Sequence, residues 1–122
     1  MKITRFEDLD CWRESVALAT EIYEISKEGE FAKDFGFRDQ LRHSVVSIAS
    51  NIAERKERET LNEFIRFLYI SKGSAGELRT QLHIAERIGY ISGTKAQELS
   101  EKAEWISAMI ASLIRTLKQR RK

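Results

Sequence analysis

His43, His83 and Cys11 are the side chains here whose acid–base or nucleophilic range suits chemistry near neutral pH. Their spacing builds no centre. A di-iron site inside a helical bundle needs two Glu-x-x-His pairs, but the residues three before His43 and His83 are Gln40 and Thr80. His83 and Glu86 form such a pair in reverse order, and it stands alone. Cys11 has no basic neighbour placed to lower its pKa, and a single cysteine permits neither an intrachain disulfide nor a CxxC motif. There is no glycine-rich phosphate loop and no Ser/His/Asp set, and the paired carboxylates read as solvated helix charges. No metal, no cofactor and no enzymatic activity are expected.

Binding chemistry has more to work with. Lys72, Arg79, His83 and Arg87 fall within about 80° of one helix face at 100° per residue. Tyr69 and Gly76 share that strip and no acid lies among them. Such a ridge suits RNA phosphates, a stacked base and close backbone approach. A second basic surface is the end of the chain, RTLKQRRK, where Arg115, Lys118, Arg120, Arg121 and Lys122 are able to contact phosphates without reading bases. The formal net charge is only +2, yet the first 114 residues carry 16 bases against 19 acids. The basic excess is therefore gathered at one end.

A third feature is polar but uncharged. In SIASNIAER, Ser47, Ser50, Asn51 and Glu54 share one strip of a helix, extended by Gln40, His43 and Ser44, with Ala49 and Ala53 as a small-residue edge. SKGSAGEL is its counterpart, with Gly73, Ser74, Gly76 and Glu77 in mid-helix. Two glycines there each cost on the order of 1 kcal/mol relative to Ala, which close contact with a neighbouring helix or chain would offset. Packing and hydrogen bonding, rather than catalysis, are the expected use of both stretches.

Four helices must position these residues, over about 8–27, 38–56, 61–88 and 94–119. The first has Asp8 as its expected N-cap and a core stripe of Leu9, Trp12, Val16, Ala19 and Tyr23, with Leu18, Ile22 and Ile25 beside it. KEGEFAKDFG follows without a period, a long connection whose two phenylalanines are expected to tuck onto the bundle. Phe37, Leu41, Val45, Ile48 and Ile52 form the second core stripe. The third helix opens on a Thr60/Glu63 capping box, carries Phe64, Phe67, Leu68, Ser71, Ala75, Leu78, Leu82 and Ala85 on one face, and stops at Gly89. Leu99, Ala103, Ile106, Ile110, Leu113 and Leu117 make a heptad seam on the fourth. With 122 residues, no proline and no strand pattern, one all-α domain is expected, an antiparallel up-down four-helix bundle.

The apolar surface exceeds what a lone bundle hides. Besides the two stripes of the first helix, Ile70, Ile84 and Ile88 lie off the main face of the third, and Trp105, Ala108, Met109 and Ala111 off that of the fourth. A subunit interface is the expected outlet, so a homo-oligomer is predicted.

FEDLDCW, FRDQLRHSVVSIASNIAER, NEFIRFLYISKGSAGELRTQL and AERIGYIS together resemble the bacterial four-helix-bundle family of 23S rRNA intervening-sequence proteins. The most specific part is Ser-Ile-x-x-Asn-Ile-Ala-Glu followed by Gly-Ser-x-x-Glu-Leu, which makes Ser47, Ser50, Asn51, Glu54, Gly73, Ser74 and Glu77 the family motif in this chain. The resemblance implies a ring-like homopentamer and an association with ribosomal RNA genes that carry an insert. A related branch implies a second role, as the accessory subunit of a reverse transcriptase in diversity-generating retroelements. Ala49 and Arg55 stand where the family commonly has Pro and Gly, and His43-Ser44 where it has Arg-Ala.

The function expected is thus that of a non-enzymatic oligomer associating with structured RNA through basic surfaces. An accessory subunit gripping a reverse transcriptase, or a purely structural oligomer, are the alternatives. The start, MKITRFEDLDCW, lacks the apolar run of a signal peptide and no segment is apolar over the roughly 18–20 residues that cross a bilayer. A cytoplasmic protein with no membrane partner is expected.

Overall fold

A computed structural model describes residues 6–54 and 60–120. A 3-10 turn at Phe6–Asp8 leads into α1 (Asp10–Ile25), α2 (Gly29–Lys33), α3 (Phe35–Ala53), α4 (Leu61–Arg87) and α5 (Gly93–Arg120). No strand occurs among the described residues. The four long helices pack as a bundle, α3 on α4, α4 on α5, and α1 on both α3 and α5. No helix among the described residues is long and apolar enough to cross a membrane.

The helix ends follow local chemistry. Thr60 Oγ1 accepts from the Glu63 N–H at 3.1 Å, so the expected cap starts α4. At its other end Gly89, at φ +83°, turns the chain through a left-handed conformation that a Cβ would oppose. The Gly89 N–H reaches the Glu86 carbonyl at 3.1 Å and the Tyr90 N–H that of Ala85 at 2.9 Å. These two bonds satisfy the last carbonyls of α4 as a Schellman turn. At the start of α5, Ser92 Oγ satisfies a free amide instead, accepting from the Lys95 N–H at 3.0 Å.

Several boundaries differ from expectation, and α1 stops at Ile25 rather than Lys27. The N-cap of α1 is Leu9 rather than Asp8, and no side chain caps it. α3 starts three residues earlier than expected because the Asp34 carboxylate accepts from the Phe37 N–H at 3.3 Å. It ends at Ala53 rather than at Lys56; Lys56 and Arg55 lie outside the described residues. Ala49, where the family commonly has Pro, sits within unbroken α3.

The long connection is not structureless. It contains α2, which places Phe31 in the core, stacked on Phe37 at 5.9 Å and on Tyr90 at 5.3 Å between ring centroids. Tyr90 donates its hydroxyl to Asp34 Oδ2 at 2.8 Å, tying the turn after α4 to the start of α3. Only one of the two phenylalanines tucks in, since Phe35 is 64% exposed.

The core is built from Leu41, Val45, Ile48 and Ile52 of α3, Phe64, Leu68, Ala75, Leu78 and Leu82 of α4, and the whole heptad seam of α5. Ile65, absent from the expected α4 stripe, is also buried. Each large aliphatic buried this way contributes roughly 1.5–3 kcal/mol. The expected core stripe of α1 holds only in part: Leu9 is buried, and Trp12 and Ala19 pack against the core from its edge. Cys11, Ser15, Leu18 and Ile22 face the interior, while Val16 and Tyr23 are exposed and Trp12 and Ala19 only half-buried. Ser15 fits an apolar interior because its hydroxyl donates to the Cys11 carbonyl one turn back at 2.6 Å.

Candidate nucleic-acid interface

Ridge and tail meet in the fold. Lys118, near the end of α5, donates from Nζ to the Tyr69 hydroxyl at 2.6 Å and stands 5.1 Å from the centre of its ring. Lys118 of the tail and Tyr69 of the ridge strip therefore meet where α4 packs on α5. Arg115 and Arg120 are exposed on α5, and Arg121 and Lys122 lie outside the described residues. Lys72 is half-buried, and Arg87 is exposed in the last turn of α4.

Along the same flank runs a polar groove of roughly 530 Å³. Gly76, Arg79, Thr80, His83 and Ile84 line it from α4, and Gln97, Ser100 and Glu104 from α5. One feature weakens the ridge. Arg79 Nη2 lies 3.3 Å from Glu104 Oε2, an exposed ion pair that α5 supplies. No acid lies among the ridge residues on their own helix, so only the neighbouring helix reveals the neutralising charge. Hydrogen-bond donors and acceptors that suit base edges thus alternate with cations that suit phosphates.

The motif residues do something different. Ser47 Oγ and Ser74 Oγ are 2.8 Å apart across the α3–α4 contact, and Ser71 Oγ donates to the Ile48 carbonyl at 2.7 Å. Asn51 Nδ2 donates to the Ser47 carbonyl at 2.8 Å and to its Oγ at 3.0 Å. Ser47 thus faces α4 and finds its partner there, whereas Asn51 bonds back to Ser47 on its own helix, and Gln40 and His43 are exposed. Ser50 departs from this arrangement; it is exposed in the groove between α1 and α3. Glu54 is half-buried just after α3, and Glu77 is exposed. Gly73 and Gly76 are also exposed, and a methyl group at either would meet nothing within 4 Å. Close packing within this chain does not account for them.

A model of the 23S rRNA-intervening sequence protein family matches residues 7–112, a span that includes both serine-rich stretches and their contact. The chain belongs to this family. A solved structure described as a protein of unknown function from the S23 ribosomal protein family of Bacteroides thetaiotaomicron superposes with a TM-score of 0.79. It is 24% identical, over 86% of this chain and 95% of that one, so the likeness is one of fold. No curated protein matches. The span shared with the family includes the α4 ridge but ends before Arg115, so the family match leaves out the basic tail.

Sequence reasoning missed a second surface, between α1 and α3. Trp12, Val16, Ala19 and Tyr23 form one wall of an apolar groove of roughly 520 Å³, and Val46, Ala49 and Ala53 the other. At one end the Arg42 guanidinium lies 4.5 Å from the centre of the Tyr23 ring and donates from Nε to Ser26 Oγ at 2.9 Å. The signal was present as a doubled apolar stripe on the first helix, assigned to the wrong sides. Cys11 plays no part in either surface. It is buried, and burial pushes its thiol up to about 11.

Proposed function

We propose that this protein is a non-enzymatic homo-oligomer that associates with structured RNA through the face shared by α4 and α5. The contact between Lys118 and Tyr69 carries this reading, because it sets one cation of the tail beside the aromatic of the ridge strip. An exposed aromatic beside cations suits a stacked base and its phosphate. Family membership supports the choice of RNA over other polyanions, given the rRNA in the family's own description. The contacts of Tyr69 with Lys118 and Arg79 with Glu104 support helices running in opposite senses, as an antiparallel up-down bundle requires.

Self-association supports the binding. A single subunit offers few phosphate contacts, and a ring of copies, five by resemblance, would add them through avidity. The apolar groove between α1 and α3 and the exposed Ile70, Ile84, Ile88 and Trp105 are the surfaces such assembly would cover. Affinity for a structured RNA, measured from low to physiological salt, tests the reading. A steep loss with salt and little dependence on sequence is expected, and no binding at low salt rejects it. Charge reversal of Arg79 and Arg87 should weaken binding; unchanged affinity would favour a purely structural oligomer.

A further inference from the structure

The α1–α3 groove and the outer stripe of α4 are matched in charge and spacing. The groove floor is small, with Ala19, Ala49 and Ala53, so another helix is able to approach closely. Just beyond Tyr23 and Val46 at one end stands Arg42, whose guanidinium has no carboxylate partner among the described residues, while Glu24, which lines the groove itself, is paired with Lys27 at 3.1 Å. On α4, Ile84 and Ile88 are exposed and share a stripe with Glu77, which likewise has no ion pair among the described residues. Glu77 precedes Ile88 by eleven residues, and Arg42 precedes Ala53 by the same eleven. On either helix that is about 16 Å at 1.5 Å per residue.

We propose that the groove receives the outer stripe of α4 from a second copy of this chain. Ile84 and Ile88 would lie against Trp12, Val16, Ala49 and Ala53, with Glu77 meeting Arg42. The two halves are on different faces of one subunit, so the contact is head-to-tail, and each docked copy still presents a free groove or a free ridge. Such contacts repeat until a ring closes. This assignment rests on the self-association proposed above and adds which faces meet and in which sense. Because Ile84 also lines the groove of Arg79 and His83, the seam would border that groove directly.

Sedimentation velocity at micromolar concentration tests it, with helicity checked by circular dichroism. Val46→Arg blocks the groove and Ile84→Glu blocks the ridge, and each alone is expected to sediment as the 14.2 kDa subunit. Mixed together they are expected to form a species of twice that mass and no larger, because one intact groove then meets one intact ridge. Ser50→Arg, on the exposed groove wall, replaces Val46→Arg should that variant lose its helicity. Glu77→Arg is expected to weaken association at least tenfold, and Arg42→Glu in the same chain to restore it. If the wild type is an oligomer and Ile84→Glu keeps its mass, or the mixture stays monomeric, the docking is overturned while self-association stands. Either result would point to another occupant, such as a foreign helix or an apolar ligand. A monomeric wild type overturns both.

Discussion

Ser47 and Ser74 meet hydroxyl to hydroxyl at 2.8 Å, and this contact explains why two helices of a charge-rich chain carry small uncharged residues there. Hydroxyls reach across only where helices approach closely, and Ser71, buried on α4, bonds the Ile48 carbonyl of α3 in the same seam. Long charged side chains would hold the helices apart and bury charge without a partner.

Replacing Asn51 by Leu tests this seam. The variant loses the bonds to Ser47 Oγ and to its carbonyl, and leaves Ser47 and Ser74 to satisfy one another. Destabilisation of about 1–2 kcal/mol is expected, read as a lower urea midpoint with unchanged slope. A wild-type midpoint would show that the network contributes nothing.

The open space around Gly73 and Gly76 makes the opposite prediction. Each Gly→Ala substitution adds a methyl that touches no atom within 4 Å and removes backbone freedom from the unfolded chain. A gain of about 0.5–1 kcal/mol per site is expected, and thermal melting measures it. If Gly76→Ala gains stability yet loses RNA affinity, the glycine is kept for close approach of the ligand.

Cys11 should be inert in the native protein. Its thiol, raised to about 11 by burial, is almost wholly protonated at pH 8 and shielded as well. Reaction with an aromatic disulfide reagent is expected to be slower than in urea by more than about 100-fold. Rapid native labelling would contradict the burial.

Alkali should destabilise the fold, with the sign set by three groups. The Cys11 thiol is raised by burial from its ordinary 9.0, and the Tyr90 hydroxyl is raised from 10.0 by its hydrogen bond to Asp34. The Lys102 ammonium is raised from 10.5, chiefly by its hydrogen bonds to Glu21 at 2.7 and 2.8 Å. Each holds its proton more tightly folded than unfolded, so its contribution is complete below the ordinary value and is lost as pH rises through the raised one. Urea midpoints should fall from about pH 9 upward. Tyr90→Phe is expected to flatten the part of that fall above about pH 10. An unchanged alkaline limb would exclude Tyr90 as a contributor.

Glu104→Gln is expected to strengthen RNA binding. It releases Arg79 from an exposed ion pair, which is worth at most about 1 kcal/mol, so the gain is up to about fivefold. Lys118→Gln should instead lower affinity and reduce the salt slope by about one unit. Filter binding across a salt series measures both, and an unaltered slope for Lys118→Gln would remove that residue from the phosphate contacts.

The sequence by itself determined the four long helices and both ends of α4. Thr60 and Glu63, Gly89, and the spacing of Leu99 to Leu117 act within a few residues, so their pattern is complete in the chain. It also marked the ridge from Lys72 to Arg87, because one helix face is a matter of angle alone. Which stripe of α1 faces inward was not decidable this way. Trp12, Val16, Ala19 and Tyr23 form an unbroken apolar stripe whereas Ser15 interrupts that of Cys11, Leu18 and Ile22, yet the second set is the buried one. Short hydroxyls and thiols satisfy themselves locally and fit a tight interior, whereas the larger aromatics do not. Nor does any local pattern announce that Glu104 neutralises Arg79, that Lys118 reaches Tyr69, or that α1 and α3 enclose an apolar groove. Those relations join residues on different helices, and only the packing of one helix on another brings them within reach.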